Sequence, residues 1–592
     1  MRIGLASKSS VIAGAALFAL LAPHAAAADW PQAGRAIVTA STSQVHSNIA
    51  TDGADGAIIT WQDFRFPRVN VFAAHVLASG DLDPRWPVDG QPLLTDPIAI
   101  ASADGGQTSP VIAADGAAGA IVAWQDLRTN ANDIDIFAQH ILASGTVDPA
   151  WPANGTALVA AAGNQSTLSI IADGTGSTRG GAGGAIVVWT DARAGVGQED
   201  IFAQHVLASG LVDPAWPANG LAVGAATARQ DHAVIVSDGA GGAVIAWDDL
   251  RSAVTGDDVY AQHVLSAGIV DPAWPVNGRA LVIANGGQGR STITSDGAHG
   301  AIVAWGDGRV VNTFHIFAQH LLSSGVVDPA WPVNGRAISD AGVTESRPLA
   351  VSDGAGGAIV NWQAFTVHLN MFAQHVTAAG IVDPAWPPGG RALSLAPRLQ
   401  DHAEIASDGA GGAVVAFDDS FDVFVQHVLA TGALDPTYPE NGRAIVALGT
   451  PQGDPAIVAT GGGGAIVSWT DGRNGKDQDI YAMQVLEASN VDVLPPPPSP
   501  NAIAFARPSP NPARVSLTLR FVLPRAAVVR LGIYDVNGRR VRELASGEQP
   551  AGEHVIAWDL RDEVGRTLGT GLYFARLEAE GRSVTQKLAT LQ

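Results

Sequence analysis

Cysteine is absent from the 592 residues of this sequence, which excludes disulfide bonds, thiolate zinc sites and cysteine nucleophiles. Charged residues make up only 15%, and no run of eighteen apolar residues follows residue 28, so the sequence predicts no membrane-spanning helix. Glycine and proline are instead abundant, at 68 and 35 residues. This composition is typical of many short strands joined by turns, and it predicts an all-β fold.

The N-terminus has the layout of a cleaved secretory signal. Two basic residues and an apolar run from Val11 to Leu21 precede four alanines at 25–28. We therefore expect residues 1–28 to be a signal peptide. The rest of the chain is expected to be secreted or held on the outer cell surface, as a monomer.

Negative charge dominates the chain, whose net charge is −22. Residues 501–592 carry 13 basic and 9 acidic residues, so the excess acid lies in the part before them. Such a surface repels nucleic acid and anionic lipid, and we expect neither as a partner. The charge serves either solubility or the collective binding of cations.

One segment, Ser295–Trp305 followed by Asp307 and Arg309, recurs eight times. Its Asp-Gly turn leads into a short apolar strand, and repeats of about 50 to 65 residues are typical of a propeller or a solenoid. Cutting the chain after each Trp-Pro-x-x-Gly motif gives units with room for four strands. These units are 34–90, 91–155, 156–220, 221–278, 279–335, 336–390, 391–442 and 443–493.

The two ends of the repeat array complement each other. The last unit stops near Val493 without a Trp-Pro-x-x-Gly motif, while an orphan copy, Trp30–Gly34, precedes the first unit. A ring in which the N-terminal segment completes the last repeat predicts this split. We therefore predict an eight-bladed β-propeller over residues 29–493, with a seven-blade count or an open array as the alternatives.

Three sets of repeated residues have structural explanations. An aromatic residue ends the apolar strand and should pack between blades, and an Asp-x-Arg pair after it should clamp the turn. A histidine recurs at one position in seven units, with Gln484 at that position in the eighth. Because an enzyme needs a catalytic base only once, we expect these histidines to be hydrogen-bonded structural residues between blades. The three sets are represented by Trp61, Trp124, Trp189, Trp247, Trp305, Trp362, Phe417 and Trp469; by Asp126 with Arg128 and Asp191 with Arg193; and by His75, His140, His205, His263, His320, His375 and His427.

A ring of amides at the start of each second strand is the candidate ligand-binding set. The side chains could satisfy backbone groups between blades or line a polar pore at the rim. The residues are Gln44, Gln107, Gln165, Gln230, Gln288, Glu345, Gln400 and Gln452.

Two further groups suggest metal binding. Asp418, Asp419 and Asp422 lie within five residues and could hold calcium, although a solvated acidic turn is the alternative. Three histidines, at 46, 232 and 402, share the position two residues after the rim glutamine. They fall in units one, four and seven, too far apart around a ring to hold one metal together.

A proline-rich linker at 494–500 separates the repeats from a second domain at 501–592. In that domain alternating segments, 515–521, 528–534, 554–558, 571–577 and 583–588, are typical of a small β-sandwich.

Four motifs of this domain occur in a specific order: Pro508–Pro512, Val529–Val541, His554–Asp559 and Gly571–Leu577. Together they resemble the C-terminal immunoglobulin-like domain of the FlgD-like and type IX secretion sorting families. This resemblance implies a sorting or anchoring domain that contacts the secretion machinery. The repeats also resemble secreted bacterial arrays of unassigned activity.

The functional prediction is a secreted or cell-surface binding protein with a propeller recognition domain. Its ligand is an unknown surface or extracellular molecule, with a glycan as the natural guess for an exported propeller. Polar and aromatic residues are nearly all repeat-equivalent and leave no unique catalytic constellation, so we expect no enzyme and no cofactor other than calcium. The alternative is a secreted propeller glycoside hydrolase of the sialidase kind.

Overall fold

The computed structural model describes residues 30–485 and 504–590. Gaps fall at 32, 67, 94–105, 131–132, 175–182, 253, 311–312, 340–341, 420, 447–449, 462, 506–516, 524, 537, 550–551 and 580–581. The predicted signal peptide, the proline-rich linker and the motif at 508–512 all lie outside the described residues. The chain divides into two compact units, Met1–Ala488 and Ser489–Gln592.

Every regular element in the described residues is a β-strand, as the composition predicts, and no helix there has the length and apolarity needed to cross a membrane. The strands of the first unit form eight antiparallel sheets within the described ranges. The chain begins with β1 (Arg35–Val38), which belongs to the last of them.

Sheets one to four contain β2 (Gln44–Thr51), β3 (Ala57–Asp63), β4 (Asn70–Val76) and β5 (Gln91–Pro92); β6 (Gln107–Ala114), β7 (Ala120–Asn130), β8 (Asp133–Ile141) and β9 (Thr156–Val159); β10 (Gln165–Ala172), β11 (Ala185–Asp191), β12 (Asp200–Val206) and β13 (Leu221–Gly224); and β14 (Gln230–Ser237), β15 (Ala243–Ser252), β16 (Gly256–Leu265), β17 (Ile269–Val270) and β18 (Arg279–Val282). Sheets five to eight contain β19 (Gln288–Ser295), β20 (Ala301–Asp307), β21 (His315–Leu321) and β22 (Arg336–Ala337); β23 (Thr344–Ser352), β24 (Ala358–Phe365), β25 (Leu369–Val376) and β26 (Arg391–Ser394); β27 (Asp401–Ser407), β28 (Ala413–Asp418), β29 (Val423–Val428) and β30 (Arg443–Ala444); and β31 (Gln452–Ala459), β32 (Ala465–Asp471), β33 (Asp479–Val485) and β1.

The strands lie where the sequence predicts them, but the predicted grouping into units is wrong. The strand after each Trp-Pro-x-x-Gly motif pairs with the strand before the motif; β18 pairs with β16, with Ala280 opposite Tyr260. The motif is therefore a turn inside a sheet. The period of a repeat determines the length of a unit but not the residue at which the unit begins. The observed strand pairing shows that each sheet begins near the rim residue, such as Gln288 in the fifth sheet.

The N-terminal segment pairs with the last repeat. Arg35 lies opposite Ala482, so β1 completes the sheet of β31 to β33. Trp30, just before β1, reaches the first sheet, where its indole Nε1 donates to the Ala78 carbonyl oxygen at 3.3 Å. Arg35 donates to the Gly80 carbonyl oxygen at 2.5 Å. The same Trp-to-carbonyl bond links other neighbouring sheets, as from Trp331 to Ala378 at 3.1 Å.

The first strand of each sheet contacts the first strand of the next, and β31 contacts β2, so the neighbour relation runs through all eight sheets and returns to its start. The hydrophobic core is divided in the same way, because each cluster is shared by two consecutive sheets. The eight strand-ending aromatics are fully buried in these clusters, as predicted.

The Asp-x-Arg pairs clamp turns, also as predicted. In the fifth sheet the buried Asp307 carboxylate accepts from the Trp305 indole at 2.8 Å and from the Arg309 guanidinium at 2.5 Å. The guanidinium also donates to the Asn334 carbonyl oxygen and stacks on the Phe317 ring. Each clamp therefore joins the second strand to the Trp-Pro turn of its own sheet.

The repeated histidines lie inside single sheets, and their predicted place between blades is wrong. The His140 ring lies between two carboxylates, 2.9 Å from Asp115 and 2.8 Å from Asp148, and tilts over Trp151. All of these residues belong to the second repeat. The imidazole ring links the turn after the first strand of the sheet to the turn after the third. The regular recurrence of the histidines in the sequence could not show that both partners lie in the same sheet.

The second unit consists of two antiparallel sheets with one hydrophobic core. One sheet holds β34 (Ala504–Phe505), β35 (Leu517–Leu523) and β38 (Gly552–Trp558); the other holds β36 (Ala527–Asp535), β37 (Arg540–Gln549), β39 (Gly571–Ala579) and β40 (Arg582–Thr590). The sequence did not predict β37, whose charged and small residues leave no alternating pattern.

Candidate functional site in the central cavity

The first strand of each sheet contains a β-bulge that turns one side chain away from the regular alternation. The pairing register shifts within the first six residues of the strand in all eight sheets. One residue in each bulge has a left-handed backbone, with φ between 45° and 54°. We call these eight the bulge residues: His46, Ser109, Thr167, His232, Arg290, Arg347, His402 and Asp454.

The bulge residues line three cavities. One, of about 630 Å³, is lined by His232, Arg290 and Arg347 together with acidic residues that include Asp231, Asp248, Glu345 and Asp401. The other two cavities meet at His402. One, of about 440 Å³, is lined by the bulge residues of sheets three to seven. The other, of about 460 Å³, is lined by those of sheets one, two, seven and eight. The first strands of all eight sheets thus face a shared central space, and volumes of this size are typical of small-molecule sites.

The rim residues do not line the 440 and 460 Å³ cavities, but Gln288 and Glu345 line the 630 Å³ cavity. All eight predicted residues, including Glu345, are buried, with exposed fractions of 3% or less. Most of the amides donate to backbone carbonyls of the preceding turn, as from Gln230 to Ala228 at 2.7 Å and from Gln400 to Ala396 at 3.0 Å. The structure therefore favours the backbone-satisfying interpretation over a ligand-binding ring, because the bulge exposes the residue two positions later.

The bulge residues differ from sheet to sheet, although their backbone positions are equivalent. Three are histidines, two are arginines, one is an aspartate and two carry hydroxyls. The sequence-based argument that polar residues all recur is therefore wrong at this position. A conserved backbone with varied side chains is the arrangement that a binding site on a repeat scaffold requires.

Four consecutive sheets contribute basic side chains, which we call the basic arc: His232, Arg290, Arg347 and His402. The two histidines and Arg347 have about half of the side chain exposed. The hydrogen bond to Asp231 raises the pKa of His232 above its ordinary value. Burial lowers the pKa of His402, but the nearby carboxylates, Asp418 first, outweigh burial and raise it.

Two groups of three ligand atoms could hold a metal ion within the described residues. They are Asp231, His232 and Asp248 in sheet four, and His402, Asp418 and Asp454 around sheet seven, with the atoms of each group within 4.8 Å of one another. The carboxylates already serve the protein: Asp248 accepts from the Arg290 backbone N–H at 2.8 Å, and Asp418 from that of Asp454 at 3.1 Å. Oxygen and imidazole ligands would suit a divalent cation.

The predicted calcium site of Asp418, Asp419 and Asp422 is not assembled. Asp418 lies 2.9 Å from His402, whereas Asp419 accepts from the Arg398 guanidinium at 3.0 Å and from the backbone N–H of Asp422. Side chains of consecutive residues leave a strand on opposite faces, so neighbouring aspartates at the end of β28 separate.

Glu404 is the most unusual group in the central space. It lines the 460 Å³ cavity near Asp454, where its side chain is exposed, and the protein packed around it raises the pKa of its carboxyl above the ordinary value. No hydrogen bond or ion pair of its carboxyl occurs within the described residues. The equivalent positions in the other repeats, such as Val234 and Leu349, hold no ionisable side chain.

Sequence reasoning noticed the three bulge histidines but missed the arginines and Glu404. The sequence did contain a sign of these residues, because the residue two positions after the rim glutamine varies in charge from repeat to repeat. A bulge in the strand leaves no mark in composition, so nothing indicated that this position faces the centre.

A family model, the FlgD Ig-like domain, matches residues 513–583. The C-terminal unit is therefore similar to that domain. No curated protein matches the chain.

Solved structures match the chain at low identity. An α-L-arabinanase from Penicillium chrysogenum is 10% identical, with 77% of this chain and 98% of that chain covered and a TM-score of 0.34. A PL25 ulvan lyase is 9% identical over 76% and 93%, with a TM-score of 0.39. The β-propeller domain of the Trilobed protease from Pyrococcus furiosus is 7% identical over 69% and 100%, with a TM-score of 0.37. These scores are below 0.5, so the argument for a propeller rests on the chain's own sheets.

The expectation that the chain is not an enzyme is corrected by these matches. The titles of the similar structures name mostly enzymes, among them an arabinanase, a lyase and a sialidase. The premise of the expectation also fails, because Glu404 and the bulge residues are a constellation that the repeats do not duplicate.

Proposed function

We propose that the chain is an exported protein whose first unit is an eight-bladed β-propeller that binds a glycan or similar polar polymer in its central cavity. The observation that carries this proposal is the set of eight equivalent bulges with different polar side chains. In this proposal the second unit is an immunoglobulin-like sorting or anchoring domain, in line with its similarity to the FlgD Ig-like domain.

Blocking the cavity tests the proposal. Ser169 lines the 440 Å³ cavity, so Ser169→Trp would fill part of it. The matched control is Ser144→Trp, at an exposed turn of the preceding repeat. We expect the mature chain to bind at least one member of a polysaccharide panel in affinity gel electrophoresis, Ser169→Trp to lose that binding and Ser144→Trp to keep it. Equal binding by both variants would contradict a site in the cavity.

Catalysis on the bound polymer is a second candidate, and Glu404 is the observation that favours it. A cavity carboxyl group with a raised pKa keeps its proton to higher pH and can donate it, as cleavage of a glycosidic bond requires. Asp454 in the same cavity would supply a second carboxylate.

The Glu404→Gln variant separates binding from catalysis. If the protein cleaves its polymer, this substitution should lower turnover by about a hundredfold or more while binding persists. Glu440→Gln, at an exposed turn of the same sheet, is the control. Unchanged product formation by Glu404→Gln would remove the catalytic role.

A further inference from the structure

The 440 Å³ cavity has an unusual charge for this protein. Its only ionisable lining residues are those of the basic arc; the other lining residues are polar without charge or apolar. The whole chain has 56 acidic and 34 basic residues, so a lining with bases alone runs against its composition. Acidic residues lie on the other side of the arc: Asp231, Asp401 and Asp418 pair with His232, Arg347 and His402, and the 630 Å³ cavity there has several carboxylates in its lining.

The two arginines of the arc differ from the structural arginines of the repeats. A structural arginine such as Arg309 is bound to a carboxylate and a carbonyl and covers an aromatic ring. The Arg290 side chain has no hydrogen bond or ion pair within the described residues. Arg347 donates from Nη1 to Asp401 at 2.5 Å, and no partner of its other guanidinium nitrogens occurs in the described part of the chain.

The backbone holds these arginines toward the cavity. Arg290 and Arg347 have φ values of 54° and 51°, a conformation that costs free energy in residues other than glycine. The Arg290 backbone N–H is fixed by the Asp248 carboxylate at 2.8 Å. A strained backbone that is held in place and presents a guanidinium group without an ion pair in the described residues, as at Arg290, is typical of a binding site.

We propose that the basic arc binds the acidic groups of an anionic polysaccharide, either uronate carboxylates or sulfate esters. Guanidinium groups bind planar carboxylates and sulfate oxygens through paired hydrogen bonds. Leu168, Val234 and Leu349 line the same cavity and would contact the apolar faces of sugar rings. This inference rests on the proposed function and adds the chemical class of the ligand.

The test compares polymers that differ only in charge. Dextran sulfate and dextran share a backbone, and polygalacturonate supplies carboxylates in place of sulfates. In affinity gel electrophoresis at fixed salt, we expect the mature chain to bind both acidic polymers at least tenfold more tightly than dextran. Arg290→Gln combined with Arg347→Gln should remove most of that difference.

Two further variants locate the effect. Lys476→Gln removes one positive charge from an exposed turn of the same unit and should leave binding unchanged. Arg290→Lys with Arg347→Lys keeps the charge but loses the paired geometry, and it should give intermediate affinity. Thermal unfolding of all variants checks that the fold is intact.

Each outcome decides something. Full affinity of the double Gln variant for the acidic polymers would overturn the basic arc. Tight binding of neutral polymers alone would overturn the anionic class and leave the cavity proposal standing, whereas binding of no polymer would overturn both. Binding of inorganic sulfate without any polymer, seen by calorimetry, would assign the arc to a small free anion and also overturn the polysaccharide class.

Discussion

Trp30 anchors the strand that completes the last sheet, so Trp30→Ala should weaken the first unit at a defined place. β1 pairs only with β33, and its N-terminal end is tied to the first sheet through Trp30 and Arg35. In every other sheet the strand equivalent to β1 is joined to the chain at both of its ends. Loss of the indole should therefore free the N-terminal end of β1 first.

The magnitude follows from the contacts of the indole. Truncation of a fully buried Phe or Trp to Ala costs about 3 to 5 kcal/mol, and a net hydrogen bond contributes about 1 kcal/mol. Trp30 is partly buried and donates one hydrogen bond, so we expect a loss of about 2 to 4 kcal/mol. With about 2.1 cal/mol/K of unfolding entropy per residue, a unit of this size loses about 1 °C of Tm per kcal/mol. The Tm should fall by about 2 to 4 °C.

The assay combines urea denaturation with hydrogen exchange measured by mass spectrometry. Trp331→Ala is the matched control, because Trp331 makes the same bond in an internal sheet and is 4% exposed. We expect both variants to lose stability but only Trp30→Ala to speed exchange in β1 and β33. A silent Trp30→Ala, or equal exchange in the two variants, would refute the anchoring role and the ring closure that depends on it.

Two other predictions concern the repeated polar groups. Burial lowers the pKa of His140, His205, His263 and His427, but their aspartate partners outweigh it and raise the pKa above 6.5, while the pKa values of partners such as Asp115 are lowered. The stability that the histidines contribute is present below pH 6.5 and is lost as pH rises through their folded pKa. The stability that the aspartates contribute is lost below about pH 3.8, so the urea midpoint should be highest between about pH 4 and 6.5. The His263→Gln variant, which has the residue found at the equivalent Gln484, should lose less stability toward pH 8.5. A midpoint that rises steadily to pH 8.5 would contradict this. Arg309→Ala leaves the buried Asp307 without its guanidinium and should cost about 2 to 3 kcal/mol, whereas Arg290→Ala, which breaks no contact, should cost under about 0.5 kcal/mol in the same denaturation assay; equal costs would contradict the clamp.

The sequence predicts the local structure of the repeats well because turns and strands have strong local causes. Asp-Gly turns, Trp-Pro turns and an apolar run such as Ala301–Trp305 determine where strands begin and end. The orphan Trp30–Gly34 motif also predicts that the N-terminal segment completes the last repeat, and in the structure Arg35 lies opposite Ala482.

The candidate site could not be predicted in the same way, because it depends on a departure from regular strand geometry. Simple alternation from Gln288 would assign Gly289 and Ser291 to the face opposite Arg290, but the bulge shifts the register between Gly289 and Thr292. For the same reason the side chains of the rim glutamines are buried, whereas the bulge residues face the cavities.

The bulge also explains how one repeat can support both stability and function. The buried glutamine, the strand-ending tryptophan and the Asp-x-Arg clamp hold each sheet, and their side chains are constrained by these contacts. The bulge residue contributes little to that packing, so its side chain can vary without loss of the fold. Substitution at Arg290 or Arg347 should therefore change ligand binding and leave the urea midpoint almost unchanged. Substitution at Gln288 should instead lower the urea midpoint, because it disrupts the packing of the sheet. Variants that showed the reverse pattern would mean that the bulges are structural and that the site lies elsewhere.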